Sequence, residues 1–144
     1  MKSKNNKGFT LIELMIVVAV LAVIVAIAYP GFLGQIQKAR RSDAKQALLD
    51  VAAKLEQFYQ DNKGYPSTSG GDDITVLGYG SNPFRSNEDY YNVSFISSST
   101  TAYTIQAVPV AGTSQADDAD CASFRLNHLG VKSVTGSMTA DRCW

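Results

Sequence analysis

Hydrophobic positions fall along this chain in three rhythms. Residues 9–29, FTLIELMIVVAVLAVIVAIAY, form one continuous apolar run in which the only charged side chain is Glu13. Sixteen residues separate Glu13 from Pro30 without a charge, so with the positions before and after it the stretch reaches the ~20 needed to cross hydrocarbon. Further on, Leu48, Val51, Ala52, Leu55 and Tyr59 recur at i, i+3, i+4, i+7 and i+11, the single apolar stripe of a helix covered on one side. After Pro66 the period becomes two, at Tyr91-x-Val93-x-Phe95, Tyr103-x-Ile105-x-Ala107 and Ala122-x-Phe124-x-Leu126, as in strands of a sheet with one covered face. Residues 131–134 give a fourth, shorter candidate strand.

Punctuation supports this division. Helix from Phe9 to about Asn62 spans 54 residues, roughly 80 Å at about 1.5 Å per residue, more than a small domain can bury. Pro30 and Gly31 predict a kink or local melting, because proline removes a helical hydrogen bond and clashes with the preceding turn. Lys63-Gly64-Tyr65-Pro66 closes the helix, with Gly64 expected near the C-cap. Residues 67–82 are rich in Ser, Gly and Asp and read as a loop, and residues 112–120 as a second polar connection. The fold class is therefore α+β, with a long helix on three or four antiparallel strands.

Charge changes the picture at two places. Lys2, Lys4 and Lys7 precede the apolar run without an acid, the layout of a targeting segment. A secretory signal cut after Ala28 is the competing interpretation, against which stand Glu13, Pro30 and an apolar run longer than the usual ~7–15 residues. Residues 64–144 carry four bases against eight acids, a net of −4. That sign is a poor match to nucleic acid, although a local basic patch escapes such a count. Lys38, Arg40 and Arg41, just past the apolar run, suit lipid head groups or a neighbour's acid.

Chemistry-bearing residues are sparse. Cys121 and Cys143 are the only cysteines and His128 the only histidine, too few for a four-ligand zinc site. A disulfide in an oxidising compartment is the expected state, with two buried thiols as the alternative. No hydrolase elbow, phosphate loop or metal-binding histidine pair occurs. Asp118-x-Asp120 begins like a calcium loop, but Ala122, Ser123 and Leu129 stand where that loop needs an oxygen ligand, glycine and glutamate, so these acids read as solvated. Asn92-Val93-Ser94 is a glycosylation sequon inside a predicted strand. No catalytic residue, metal site or cofactor is expected.

An ionised carboxylate in a membrane helix opposes insertion by about 2.5–3.5 kcal/mol, so Glu13 calls for a partner. Gly8-Phe9-Thr10-Leu11-Ile12-Glu13-Leu14, after a basic leader and before a run ending near Pro30, resembles the class III signal of type IV pilins and pseudopilins. The resemblance implies that prepilin peptidase cuts after Gly8 and methylates the new terminus at Phe9. It also implies that Glu13 pairs with the terminal ammonium of a neighbouring subunit during assembly. Such a pair would act as a registration device, since either charge left alone in an apolar core is costly.

Under the same resemblance residues 1–8 are the leader, 9–32 the transmembrane and assembly half of the helix, 33–62 its amphipathic half and 63–144 the head. The head has an αβ-loop and a C-terminal region bounded by Cys121 and Cys143. The closing Cys143-Trp144 is similar to that of certain minor type IVa pilins. Implied is a structural pilus subunit, held in the inner membrane with a periplasmic head and then moved into, or priming, an extracellular filament. Its partners would be other pilins, prepilin peptidase, the inner-membrane assembly machinery and, before assembly, lipid. A filament-displayed adhesin, a DNA-uptake module and a type II secretion pseudopilin are the alternatives.

Overall fold

A computed structural model describes residues 8–67 and 73–144. Met1 to Lys7 of the expected leader, and part of the loop after Pro66, lie outside the described residues. The chain divides into two units, Met1–Ile36 and Gln37–Trp144. Helix α1 runs Leu11–Asn62, five strands follow as β1 (Phe84–Arg85), β2 (Tyr91–Ser98), β3 (Tyr103–Pro109), β4 (Ser123–Asn127) and β5 (Lys132–Thr135), and a short α2 (Ala140–Cys143) ends the chain.

In the first unit α1 is apolar on every side, and its large side chains from Leu11 to Phe32 are solvent-exposed. Its most apolar 18-residue window has a mean hydropathy of 3.1 with none of it buried, so length and composition suffice to cross a membrane. Helix continues through Pro30 and Gly31. The expected local melting therefore does not occur; the hydrogen bond lost at proline is one among many in a helix whose neighbouring turns persist.

In the second unit the predicted stripe is the core-facing side of α1. Ala44, Ala47, Leu48, Val51 and Leu55 join Tyr91, Val93, Phe95, Ile105, Phe124 and Leu126 in one buried cluster. The strands form an antiparallel sheet in the order β1-β2-β3-β4-β5, one more than the three or four expected. The addition, β1, is two residues long, too short to show an alternation. It is held by pairing Phe84 with Val93 and Arg85 with Asn92. The apolar residues 74–77 form a single 3-10 turn whose cap, Asp73, accepts from the Thr75 N–H.

The end of α1 also differs from expectation. Lys63, not Gly64, takes the left-handed conformation (φ 60°), and its N–H donates to Tyr59 O at 2.8 Å. Gly64 gives clearance instead, since a Cβ there would lie 3.2 Å from Thr100 O, a tight contact. The approach is fixed by the bond from Tyr65 N–H to Thr100 O (3.0 Å), which ties the helix end to the β2–β3 turn. At Gly136 (φ 131°) a Cβ would fall 2.4 Å from Asp120 O, so only glycine lets the end of β5 pass the 112–120 loop.

Candidate functional site

Three features of this fold bear on function: the start of α1, the polar cluster that fastens the C-terminal loop, and the uncovered face of the sheet.

At the start of α1, Glu13 Oε2 accepts from the Thr10 N–H (2.9 Å) and from Thr10 Oγ1 (2.8 Å), while the Glu13 N–H donates to Thr10 Oγ1 (3.3 Å). Thr10-x-x-Glu13 is thus a reciprocal capping box. The sequence contained this signal, and it adds a local role to the one read for Glu13: the two side chains together satisfy two backbone donors that a helix start leaves open, Thr10 N–H and Glu13 N–H, and the carboxylate sits at the positive end of the helix dipole. Hydrogen bonds alone do not neutralise its charge in an apolar medium. Oε1 accepts nothing among the described residues, so a cation has an acceptor within the same carboxylate. Phe9 is 88% exposed, and Gly8 has open space around it.

Within the head, Arg41 and Asp118 form a bidentate pair, Nε to Oδ2 and Nη2 to Oδ1 at 2.8 Å each, with side chains only 7% and 2% exposed. The solvated acid expected at Asp118, and the lipid- or neighbour-facing cation expected at Arg41, are corrected here. The partners are 77 residues apart in sequence, beyond any local signal. Gln115 Nε2 donates to Asp118 Oδ2 (3.1 Å) and to the Tyr91 hydroxyl (2.9 Å), and the Cys121 N–H donates to Asp118 Oδ1 (3.3 Å). The hydrogen bond to Asp118 raises the Arg41 pKa further above its ordinary value, and burial pushes the Tyr91 phenol up. Arg40 bonds Ser114 and stacks over the Tyr90 ring at 4.3 Å. Asp43 on α1 accepts from Ser86 Oγ and from the Glu88 N–H, which fastens the β1–β2 turn.

Cys121 and Cys143 are joined in a disulfide with Cα atoms 5.9 Å apart. Closing a loop of this length stabilises the head by roughly 3 kcal/mol in the chain-entropy model. Lys45 donates to Cys143 O (3.3 Å), and Trp144 packs on Phe124 with ring centroids 5.8 Å apart. The short α2 between them is stabilised by these long-range contacts and shows no sequence period. His128 is half-buried against the Tyr103 ring.

α1 covers one face of the sheet, and alternation places Asn92, Ser94, Gln106, Arg125 and Ser133 on the other. The sequon residues Asn92 and Ser94 lie on this face within β2. A shallow cavity of about 430 Å³ opens there beside Arg125, Gln106, Ser123 and Thr135.

Comparison with known proteins agrees with both the apolar helix and most of the head. Residues 3–29 match the family described as prokaryotic N-terminal methylation motif. Residues 30–125 match the family described as type IV minor pilin ComP, DNA uptake sequence receptor. The type IV wide pilus major component PilA4 of Thermus thermophilus is 35% identical over 76% of this chain and 79% of its own length. The type II secretion system core protein G of Pseudomonas aeruginosa is 35% identical over 58% of each chain, and the chain spans about half the length of the first such relatives. The non-core minor pilin PilV of Neisseria meningitidis shares the fold, with a TM-score of 0.53 at 22% identity over 71% of this chain and 89% of that one. An exposed apolar helix behind a methylation motif and a disulfide-closed α+β head, matched over residues 30–125, place this chain in a known group: it belongs to the type IV pilins, in the minor-pilin family described as ComP.

Proposed function

We propose that this chain is a minor subunit of a type IV pilus, incorporated into a helical filament or priming its assembly. The observation that carries the reading is the first half of α1, apolar on all sides and exposed throughout. Surface of that kind needs a partner outside the chain, first lipid and then other pilin helices. Prepilin peptidase would cut after Gly8 and leave a methylated Phe9, cationic at neutral pH. Glu13 would then meet the ammonium of a neighbouring subunit within the filament core. Before assembly the chain sits in the inner membrane with its head in the periplasm, engages the assembly machinery there, and becomes extracellular in the pilus. A bend at Pro30 would let the two halves of α1 take different directions. The role is structural, with no catalytic turnover.

Mass spectrometry of the mature N terminus tests this directly. A methylated Phe9 supports it, and a chain beginning at Tyr29 would replace it with a released periplasmic protein.

A second reading is favoured by the family match over residues 30–125, whose description is that of a DNA uptake sequence receptor. In it the filament displays this head to capture DNA. Retention of labelled duplex at low salt, lost as salt rises, is its signature. A pseudopilin role is the weaker reading, since the core protein G likeness covers less of this chain than the pilin likeness does.

A further inference from the structure

Near the start of β4 the sheet register gathers four polar side chains on three neighbouring strands. Gln106 of β3 pairs with Arg125 of β4, and two positions earlier on β4 Ser123 pairs with Thr135 of β5. Val108 and Pro109, with Ala116 from the connection that follows β3, close one side of this polar floor as an apolar wall. Floor and wall bound a cavity of about 430 Å³, within the size range of small-ligand sites. The wall is held from behind. Gln115 and Asp118, both buried and close to Ala116 in sequence, bond to each other, to the Tyr91 hydroxyl and to Arg41 of α1, so the cavity is built before any ligand enters.

The floor is short of partners. Arg125 makes no hydrogen bond or ion pair among the described residues, and its Nε is withdrawn from water. A buried donor without an acceptor is costly, and a planar guanidinium takes a carboxylate by two parallel charge-assisted bonds. Ser123 Oγ and Thr135 Oγ1 lie 2.6 Å apart; one donates to the other, which leaves one hydroxyl proton of the pair to donate elsewhere. Gln106 adds an amide whose Nε2 makes only a long bond of 3.5 Å, to Ser94 Oγ. No acidic side chain lines the cavity among the described residues.

We propose that this cavity binds a sugar acid, its carboxylate on Arg125, its hydroxyls on Gln106, Ser123 and Thr135, and a C–H face of its ring on Val108, Pro109 and Ala116. Other oxyanions meet fewer of these groups. An inorganic anion would satisfy Arg125 and leave the apolar wall wet, and the carboxylate of an acidic side chain would bring no hydroxyl to the neutral donors. The site is separate from the apolar half of α1 on which the filament role rests.

The test is isothermal titration of glucuronate into the full chain, held in an uncharged polyoxyethylene detergent so that no sugar head group competes. Glucose, N-acetylaspartate and inorganic phosphate are titrated alongside. Saturable binding of one glucuronate is expected, in the millimolar range that a ligand of this size reaches, with each of the other three at least about tenfold weaker. Arg125→Gln should weaken glucuronate about tenfold or more, and Arg125→Lys should restore part of the loss, since it returns the charge without the fork. Ala116→Leu leaves Arg125 in place and fills the cavity from an exposed position, so it should also abolish binding. Circular dichroism and an intact disulfide confirm the fold of each variant. Wild-type affinity in Arg125→Gln or in Ala116→Leu would overturn the site, as would the absence of saturable glucuronate binding to the wild-type chain. Phosphate or N-acetylaspartate binding as tightly as glucuronate would overturn a sugar acid as the occupant.

Discussion

The two halves of α1 obey opposite rules. In the second half the buried apolar positions follow one stripe, and Leu48, Val51 and Leu55 are fully buried against the sheet. In the first half apolar residues occupy every side of the helix, and Leu11, Ile16, Leu21 and Ile27 are all more than half exposed. A stripe finds its partner inside its own chain, whereas an all-round apolar surface requires lipid or other copies. The helix thus joins a segment whose stability is intramolecular to one whose stability depends on surroundings.

That contrast can be broken by substitution. The largest expected effect is on the buried ion pair: Asp118→Ala strands the Arg41 charge and should cost the head about 3–5 kcal/mol, read as a lower denaturant midpoint. Asp118→Ala together with Arg41→Met should recover much of it, because no charge is left alone. Leu55→Ala should cost about 2–5 kcal/mol by opening a cavity in the core. The same change at Leu21 should leave head unfolding within about 0.5 kcal/mol of wild type. Equal losses at Leu21 and Leu55 would erase the distinction between the halves. Reduction of the Cys121–Cys143 disulfide should cost roughly 3 kcal/mol, visible as a lower melting temperature with unchanged helix content in α1.

The head on which the second half packs also carries a pH dependence. Burial, then the hydrogen bond to Glu56, pushes the Tyr65 phenol up to about 12, and burial does the same for Tyr103. Their unfolded counterparts ionise near 10. The folded head therefore binds more protons between those values, so stability is intact below pH 10 and declines from there toward pH 12. Alkaline unfolding followed by tyrosinate absorbance checks the sign; a head that gained stability above pH 10 would contradict it. Thr10→Val removes one side of the capping box and is the smallest change, about 1 kcal/mol of local helix stability, seen as faster exchange of the Glu13 amide, whose N–H donates to Thr10 Oγ1.

What could be read from the sequence follows the range of each interaction. Period-two and period-3.6 patterns report which side of an element is covered, so the stripe from Leu48 to Tyr59 and the alternations at Tyr91, Tyr103 and Phe124 were visible. Thr10-x-x-Glu13 was visible too, as a capping signal overshadowed by the membrane question that Glu13 raises. Invisible were interactions made only by the finished fold. Nothing near Arg41 announces Asp118, nothing in Phe84-Arg85 alternates, and the clearance that Gly64 and Gly136 provide depends on backbone brought in from Thr100 and Asp120. That Arg85 and Arg125 share the uncovered face likewise needs the register, because they are 40 positions apart in a net-acidic segment.

Glu13 is the residue on which the first half of the helix turns, and its two roles can be separated. Glutamine at this position keeps the capping box, since its side-chain carbonyl accepts from Thr10 as the carboxylate does, and removes only the charge. The decisive measurement is the amount of Glu13→Gln chain in sheared filaments relative to wild type, with processing at Phe9 verified in both. The expected result is a processed variant that stays in the membrane fraction and is largely missing from filaments. Incorporation of Glu13→Gln at the wild-type level would contradict the charge-pairing role and leave Glu13 as a helix cap alone.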